Sequence, residues 1–275
     1  MTLTRHRALR TCLLTLLLAL LAAAAQAQSI VGVLGIEREV APIEARLQDS
    51  QEVRVRGYVF RVGSLNGRQV VVGRSAAGKV NAAIVATVLI GHFNPSALFF
   101  SGTAGAIDQT LRPGDVVIGT GVVQHDVGAV TPGGIIRRGV RNSITGEMEP
   151  LIVPAPEVLL AAARRAVEGL TLTPPESAEG KTTPRIVEGV IVTGDVFMSD
   201  AARRDEIRSS LSGSAVEMEG AAMVQACRQF AVACLVVRSI TDRADGEATA
   251  NYKQFIAAAS ENAATLVTAI IARLP

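Results

Sequence analysis

Histidine is scarce, with three in 275 residues. His6 lies in the first ten residues, His92 at the end of an apolar helical stretch, and His125 beside Asp126 on a strand-like run, so they offer no zinc triad. The three cysteines are equally sparse. Neither Cys227 nor Cys234 has a histidine nearby and no G-x-S-x-G elbow occurs, which leaves no nucleophilic triad. The glycine-rich run "SGTAGA" (101 to 106) lacks both the G-x-G-x-x-G spacing and a G-K-[ST] ending, so it is neither a dinucleotide fingerprint nor a phosphate loop. Past the first ten residues there is no basic block, and the formal charge is only +2, which argues against nucleic acid. A small, near-neutral ligand or a protein partner fits better. No metal and no organic cofactor is expected. There is also no Pro/Gly/Ser-rich linker and no internal repeat, so one domain is expected after the leader.

That leader is "MTLTRHRALR", a basic segment, then "TCLLTLLLALLAAAA", an apolar one, then "AQAQ", a small-x-small cleavage site. Residues 1–27 read as a signal peptide cleaved after Ala27, residues 28–275 as the folded domain, and the product as exported and periplasmic. The apolar run is shorter than the ~20 residues that span a bilayer and ends in alanines, so a retained membrane anchor is the weaker reading. With no cysteine at the cleavage point, a lipid anchor is not expected. Cys227 and Cys234 lie seven apart in apolar surroundings. Two readings stay open for them: a disulfide, which export permits, or two buried free thiols, because a helix and the following strand seldom offer the right geometry.

Along the domain, "SIVGVLG" (29 to 35) is an apolar strand and "REVAPIEARL" a helix. "EVRVRGYVFRVGSLNGRQVVVGRS" (52 to 75) alternates around Asn66-Gly67 and reads as a hairpin with one wet face. An alanine-rich helix, "GKVNAAIVATVLIGHF", precedes the strand "SALFFSG" and the loop "TAGAI". "GDVVIGTGVVQHD" is a strand, 128 to 153 a long loop or loose hairpin, "APEVLLAAARRAVEGL" an amphipathic helix, and 171 to 184 a polar, disorder-like stretch. Strands "RIVEGVIVTG", "SAVEM" and "VACLVVRSI" then alternate with helices "DAARRDEIRSSL", "EGAAMVQACRQF" and "NYKQFIAAASENAATLVTAIIARL". Continuous apolar strands alternating with helices indicate an α/β domain whose central sheet is mostly parallel and flanked by helices, with the early hairpin making it mixed.

Ligands of such sheets bind beyond the carboxyl ends of the strands. Those ends carry "GIERE" (35 to 39), "SGTAGA", "VTGDVFMSD" (192 to 200), "AVEMEG" (215 to 220) and "RSITDRAD" (238 to 245). Each has an ordinary explanation taken singly: Glu37 and Glu39 complement a helix dipole, Thr241-Asp242 is an N-cap or turn pair, the glycines make a tight turn or a close backbone approach, and Phe197-Met198 are core residues or a surface for a planar ligand. Together they gather carboxylates (Glu39, Glu219, Asp242), one arginine (Arg238), a hydroxyl (Thr103) and an aromatic ring (Phe197). That set suits acid/base hydrolysis of a bond to a sugar. Within "AVEMEG", Glu219 at the strand's carboxyl edge is expected to face a ligand, and Glu217 to be a buried, paired carboxylate.

"GxxG…EREV", "GKVNAA", "SGTAGA", "GDVV", "HD", "VTGDVFM", "AVEMEGAA" and "VVRSITDRAD" follow the order and spacing of the nucleoside phosphorylase/nucleosidase superfamily, which the chain resembles over nearly all of residues 28–275. It is most similar to the 5'-methylthioadenosine/S-adenosylhomocysteine nucleosidases. The resemblance implies a nucleoside phosphorylase-like fold and release of adenine from a purine nucleoside, a 5'-modified adenosine, by water. By the same resemblance Asp242 protonates the purine at N7, Arg238 orients Asp242, and Glu39 activates the water, with Glu37 as the alternative in that register. Glu219 accepts from the ribose hydroxyls, Met218 packs on the sugar, Phe197 stacks on the purine, the Met198 backbone reads its edge, and Thr103 and Gly105 lie near the sugar and water. A homodimer is implied as well. Gln124 departs from the family, standing where a tyrosine often precedes "HD". The nearest alternative, a phosphate-dependent nucleoside phosphorylase, would need cations for the phosphate. Phe99 and Phe100 occupy the stretch where such relatives place an arginine, leaving Arg38 and Arg74 as candidates. A non-catalytic periplasmic nucleoside-binding protein is the alternative of another class, and the presence of both Glu39 and Asp242 argues against it.

Overall fold

Strands that are apolar along their whole length need cover on both faces, and the placement of the helices supplies it. The computed structural model describes residues 29–176 and 183–275. The expected leader, with its cleavage site, lies outside the described residues, as does 177–182 of the polar stretch. In chain order the elements are β1 (Val31–Ile36), α1 (Glu37–Glu44), β2 (Gln48–Val55), β3 (Tyr58–Leu65), β4 (Arg68–Ser75), α2 (Lys79–Phe93), β5 (Ala97–Ala106), β6 (Val116–Gln124), β7 (Gly128–Thr131), β8 (Gly134–Arg137), β9 (Val153–Pro154), α3 (Glu157–Val167), β10 (Ile186–Thr193), α4 (Ala201–Leu211), β11 (Gly213–Glu217), α5 (Gly220–Gln229), β12 (Ala233–Asp242) and α6 (Ala248–Ala272).

One sheet runs β11-β10-β6-β12-β5-β1-β4-β3-β2, with β9 on β6. Side chains alternate across it, so Phe100 joins Leu98 and Val236 under α2 and α5, while Phe99 joins Leu235 and Val237 under α1, α3 and α6. By length and composition α6 could cross a membrane, with a mean hydropathy of 1.5, but Ala263, Leu266, Val267 and Ile270 are buried in this core. This is a single α/β domain with a mixed, mainly parallel sheet.

The sheet also closes on itself. β11 pairs antiparallel with the far end of β5, Ala215 opposite Ala106 and Val216 opposite Gly105. Strands β5, β12, β6, β10 and β11 thus form a ring. The pairing explains a difference from expectation: "TAGAI" does not form a loop, because Thr103 to Ala106 continue β5 between β12 and β11. Nothing local to that glycine-rich run announces its two partners. β12 likewise runs past Ile240 to Asp242, and a register shift there sets Asp242 opposite Gly105. Such a bulge re-aims the side chains that follow it.

The hairpin expected over 52 to 75 is a three-stranded meander, since β2 and β3 join at Arg56-Gly57, both with positive φ (+49° and +89°). Arginine in a left-handed turn position is an uncommon signal. Residues 128 to 153 contain the small β7–β8 hairpin and a bridge from Arg141 to Met148. Of the two readings open for the cysteines, the structure has the disulfide. After α5 the chain reverses through Ala231 (φ +54°), which returns β12 beneath the helix's last turn with the Cys227 and Cys234 Cα atoms 6.3 Å apart. In the protein lacking residues 1–27, thiol titration in denaturant without reductant should find no free thiol, and replacing both cysteines by alanine should lower the unfolding free energy by about 2.5 kcal/mol. Two titratable thiols would contradict the pairing.

Candidate active site

Strand ends β1, β5, β11 and β12 surround one cavity, with the β4–α2 and β10–α4 connections on its rim. Glu39, Thr103, Gly105, Phe197, Met218, Glu219 and Asp242 line it together with Ile36, Ala77, Glu217 and Tyr252. Residues from seven separate stretches of the chain converge there.

Glu39 is in the first turn of α1, and its Oε2 accepts from the Ile36 N–H at 3.1 Å, which fixes the start of the helix. Its Oε1 accepts from both Thr103 N–H (2.8 Å) and Thr103 Oγ1 (2.7 Å). Glu37 points the other way, exposed and paired to Arg74 at 2.7 Å. Of the two registers, Glu39 is the one that faces the cavity.

Behind Glu39 lies Arg238, fully buried on β12. Its Nη2 donates to Glu217 Oε2 and stands 3.4 Å from Glu219 Oε2, its Nη1 stands 3.8 Å from Glu39 Oε2, and its guanidinium covers the Phe100 ring at 4.5 Å. The glycine opposite makes this possible, since a Cβ on Gly102 would sit 2.2 Å from Arg238 Nη1 and 2.5 Å from Glu39 Oε2. Gly105 gives Asp242 the same clearance, at 2.7 Å from Oδ1. The glycines of "SGTAGA" are therefore close-approach positions in a strand. Arg238 does not orient Asp242, as had been expected: with the register shift between them, its hydrogen bonds go to Glu217, Glu219 and the Thr103 carbonyl. Asp242 is held by Thr241 Oγ1 (2.7 Å) and the Ala244 N–H (2.9 Å).

Glu217 is the buried, paired carboxylate that was expected, and its partners now have names. Oε2 accepts from Arg238 and from the N–H groups of Glu219 (3.0 Å) and Gly220 (2.7 Å), and Oε1 accepts from Thr193 Oγ1. Glu219, the N-cap residue of α5, accepts the Gly78 N–H at 2.9 Å on Oε1. Burial pushes the Glu219 carboxyl up to about 7; Arg238 and the Gly78 N–H pull it down, while Glu217 and Glu39 push it up. Burial also raises the Asp242 carboxyl, against the lowering effect of its Thr241 and Ala244 hydrogen bonds.

Phe197 stands at the mouth, 48% exposed, its ring edge-on to Tyr252 with centroids 6.2 Å apart. The Met198 side chain packs into the core with Ile107 and Val192 and borders a smaller recess beside Gly105 and Asp242. Sequence reasoning passed over Tyr252, Thr193 and Gly78. Tyr252 sits inside a run that reads as helix, and Gly78 acts through its backbone, so neither carries a local signal. Among the described residues no group of histidine, cysteine and carboxylates is arranged to hold a metal.

A family model for the phosphorylase superfamily matches residues 29–272. A 5'-methylthioadenosine/S-adenosylhomocysteine nucleosidase of Psychromonas ingrahamii is 35% identical over 89% of this chain and 99% of its own. The crystal structure of a nucleosidase of the same name from Colwellia psychrerythraea, in complex with adenine, superposes with a TM-score of 0.76 at 31% identity, covering 90% of this chain and 96% of that one. Futalosine hydrolase of Helicobacter pylori superposes with a TM-score of 0.74 at 28% identity, covering 89% and 97%.

Glu217→Gln should cost roughly 3 kcal/mol of stability, because it breaks the closest pair of a buried cation, and Glu219→Gln should cost less; urea unfolding giving the opposite order would contradict these assignments. A carboxyl raised in the folded state stabilises fully below its unfolded value, and that contribution is lost as pH rises through the folded one. The contribution of Glu219 should therefore be lost as pH rises from the ordinary carboxylate range to about 7, read as the change with pH in the stability difference between wild type and Glu219→Gln.

Proposed function

The chain belongs to the phosphorylase superfamily, and on that premise we propose that it hydrolyses the N-glycosidic bond of a purine nucleoside, a 5'-modified adenosine such as 5'-methylthioadenosine, releasing adenine and a ribose derivative. The observation that carries this reading is a raised acid, Asp242, and a carboxylate, Glu39, on one cavity that, among the described residues, no lysine or arginine side chain lines. Phosphorolysis needs cations for a dianion. Arg238 is enclosed by carboxylates, Arg74 is held by Glu37 and Glu44, and Arg38 is exposed on α1. The relatives named as nucleosidases and as a futalosine hydrolase support the hydrolytic choice.

In this reading Asp242 gives its proton to purine N7, so the base leaves neutral, and its desolvated carboxyl keeps that proton at higher pH than an ordinary aspartate would. Glu39, oriented by both donors of Thr103, takes a proton from the attacking water. The sugar becomes oxocarbenium-like between them, and Glu39, Glu217 and Glu219 provide the negative surroundings that stabilise it. Glu219 accepts from the ribose hydroxyls while Met218 and Gly105 bound the sugar. Phe197, backed by Tyr252, stacks on the base, and the backbone at Met198 reads the base edge. The apolar rim of Ile36, Ala77, Met218 and Tyr252 favours a thioether over a charged 5' group. Export to the periplasm and a homodimer are part of the proposal. The disulfide supports the first, and exposed Val80 and Phe230, which line one groove between α2 and α5, support the second.

Purified protein should release adenine from 5'-methylthioadenosine equally well with and without phosphate, and should release hypoxanthine from inosine or uracil from uridine less readily. Asp242→Asn should lower turnover by at least about 10²-fold and leave nucleoside binding within a few fold. Strict phosphate dependence would overturn hydrolysis, and unchanged turnover in the variant would remove Asp242 from the reaction.

A further inference from the structure

The first turn of α2 gives its two leading backbone donors to carboxylates of other elements. Gly78 N–H donates to Glu219 Oε1 at 2.9 Å, and Lys79 N–H to Asp195 Oδ1 at 2.7 Å. A helix start attracts anions through its unpaired N–H groups and its dipole, but does not choose among them. Here the side chain of Lys79 makes the choice. Its Nζ reaches Asp126 Oδ1 at 2.7 Å and Gln124 Oε1 at 3.1 Å at the end of β6. Asp126 Oδ2 in turn accepts the Asp195 N–H at 3.0 Å. The circuit Lys79–Asp126–Asp195–Lys79 is thereby closed across three elements. It is also tight: Gly78 has φ +100°, and a Cβ there would lie 3.2 Å from Asp195 Oδ1.

None of Lys79, Asp126 and Asp195 lines the cavity, yet Lys79 and Asp195 each stand close in the chain to a residue that acts there, and Asp126 joins the two. Asp195 stands two residues before Phe197 on the β10–α4 connection, and Lys79 follows the glycine whose N–H holds Glu219. We propose that Lys79, through Asp126 and Asp195, is a positioning residue that sets the Phe197 connection and the Gly78 N–H at a fixed distance, so that the base-stacking ring and the sugar-facing Glu219 are in register. The proposal rests on the nucleoside reading of the cavity. It also accounts for "GKVNAA" beyond its helical pattern: glycine for the turn, lysine for the clamp.

The groups that face Glu219 give the clamp a pH signature. They are Arg238 from β12, Glu217 from β11, Glu39 from α1 and the Gly78 N–H, with Asp242 and Tyr252 across the cavity. Of these only Arg238 and the Gly78 N–H favour the ionised form. The form that accepts from ribose hydroxyls is the carboxylate. Loosening the Gly78 bond raises the Glu219 carboxyl further, and the ascending limb of kcat/KM moves to higher pH.

The test compares Lys79→Met, Asp126→Asn and Lys79→Arg with wild type, using 5'-methylthioadenosine across pH 5 to 9 and native-state amide exchange at Gly78. Lys79→Met and Asp126→Asn should raise KM roughly three- to tenfold, the worth of one such hydrogen bond, with a smaller change in kcat and an upward-shifted acidic limb. Exchange at Gly78 should be faster by about the same factor, and Lys79→Arg, which keeps the cation, should recover most of each effect. Unchanged KM and Gly78 exchange would overturn the clamp, as would a loss equal at every pH that arginine does not rescue. If wild type releases no adenine, the hydrolytic reading fails, and Gly78 exchange in the same variants still decides for or against the clamp.

Discussion

A guanidinium with no exposed surface has to be answered by nearby charge, and the carboxylates that answer Arg238 come from α1, from the end of β11 and from the N-cap of α5. These contacts hold the corner of the molecule where the cavity lies. Glu217, the nearest, also takes the N–H groups that open α5, so the start of that helix and the place of Glu219 follow from the same pair. The charges do not balance, because three carboxylates face one cation. Burial raises the Glu219 carboxyl to about 7, with Glu217 and Glu39 adding to the rise and Arg238 opposing it. A cavity short of positive charge is poor for phosphate and well suited to a sugar that becomes cationic as its bond to the base breaks.

The sheet delivers these groups to one point. β5 has β1 and β12 beside its first half, and β12 and β11 beside its second. Gly102 lies where Arg238 and Glu39 cross the strand, and Gly105 where Asp242 does. A methyl group at either position would push apart residues that must meet. The bulge in β12 completes the arrangement by parting the roles of two residues on one strand: Arg238 turns to the carboxylates and Asp242 to the cavity.

Much of this could be read before any coordinates. Apolar runs named the buried strands, helical spacing named the helices over them, and the strand ends drew attention to Glu39, Thr103, Phe197, Glu219 and Asp242. What stayed hidden depended on partners far away in sequence. "TAGAI" looks like a loop until β11 is known to pair with it, and Arg238 looks like a companion of Asp242 until the bulge is seen. Glu217 gave no hint of its partner, because the arginine that meets it lies twenty-one residues on. Local pattern also could not decide the fate of Cys227 and Cys234, which depends on a tight reversal at Ala231. Tyr252 and Lys79 were passed over because each is an unremarkable helix residue whose importance comes from what it reaches.

Burial, with Glu217 and Glu39 close by and one arginine answering all three carboxylates, raises the Glu219 carboxyl to about 7. Carbon-13 NMR of the glutamate carboxyls across a pH titration of the ligand-free protein tests it most directly. One carboxyl should titrate with a midpoint of about 7 and be absent from the spectrum of Glu219→Gln. All glutamates titrating below about pH 5, as exposed carboxylates do, would contradict it.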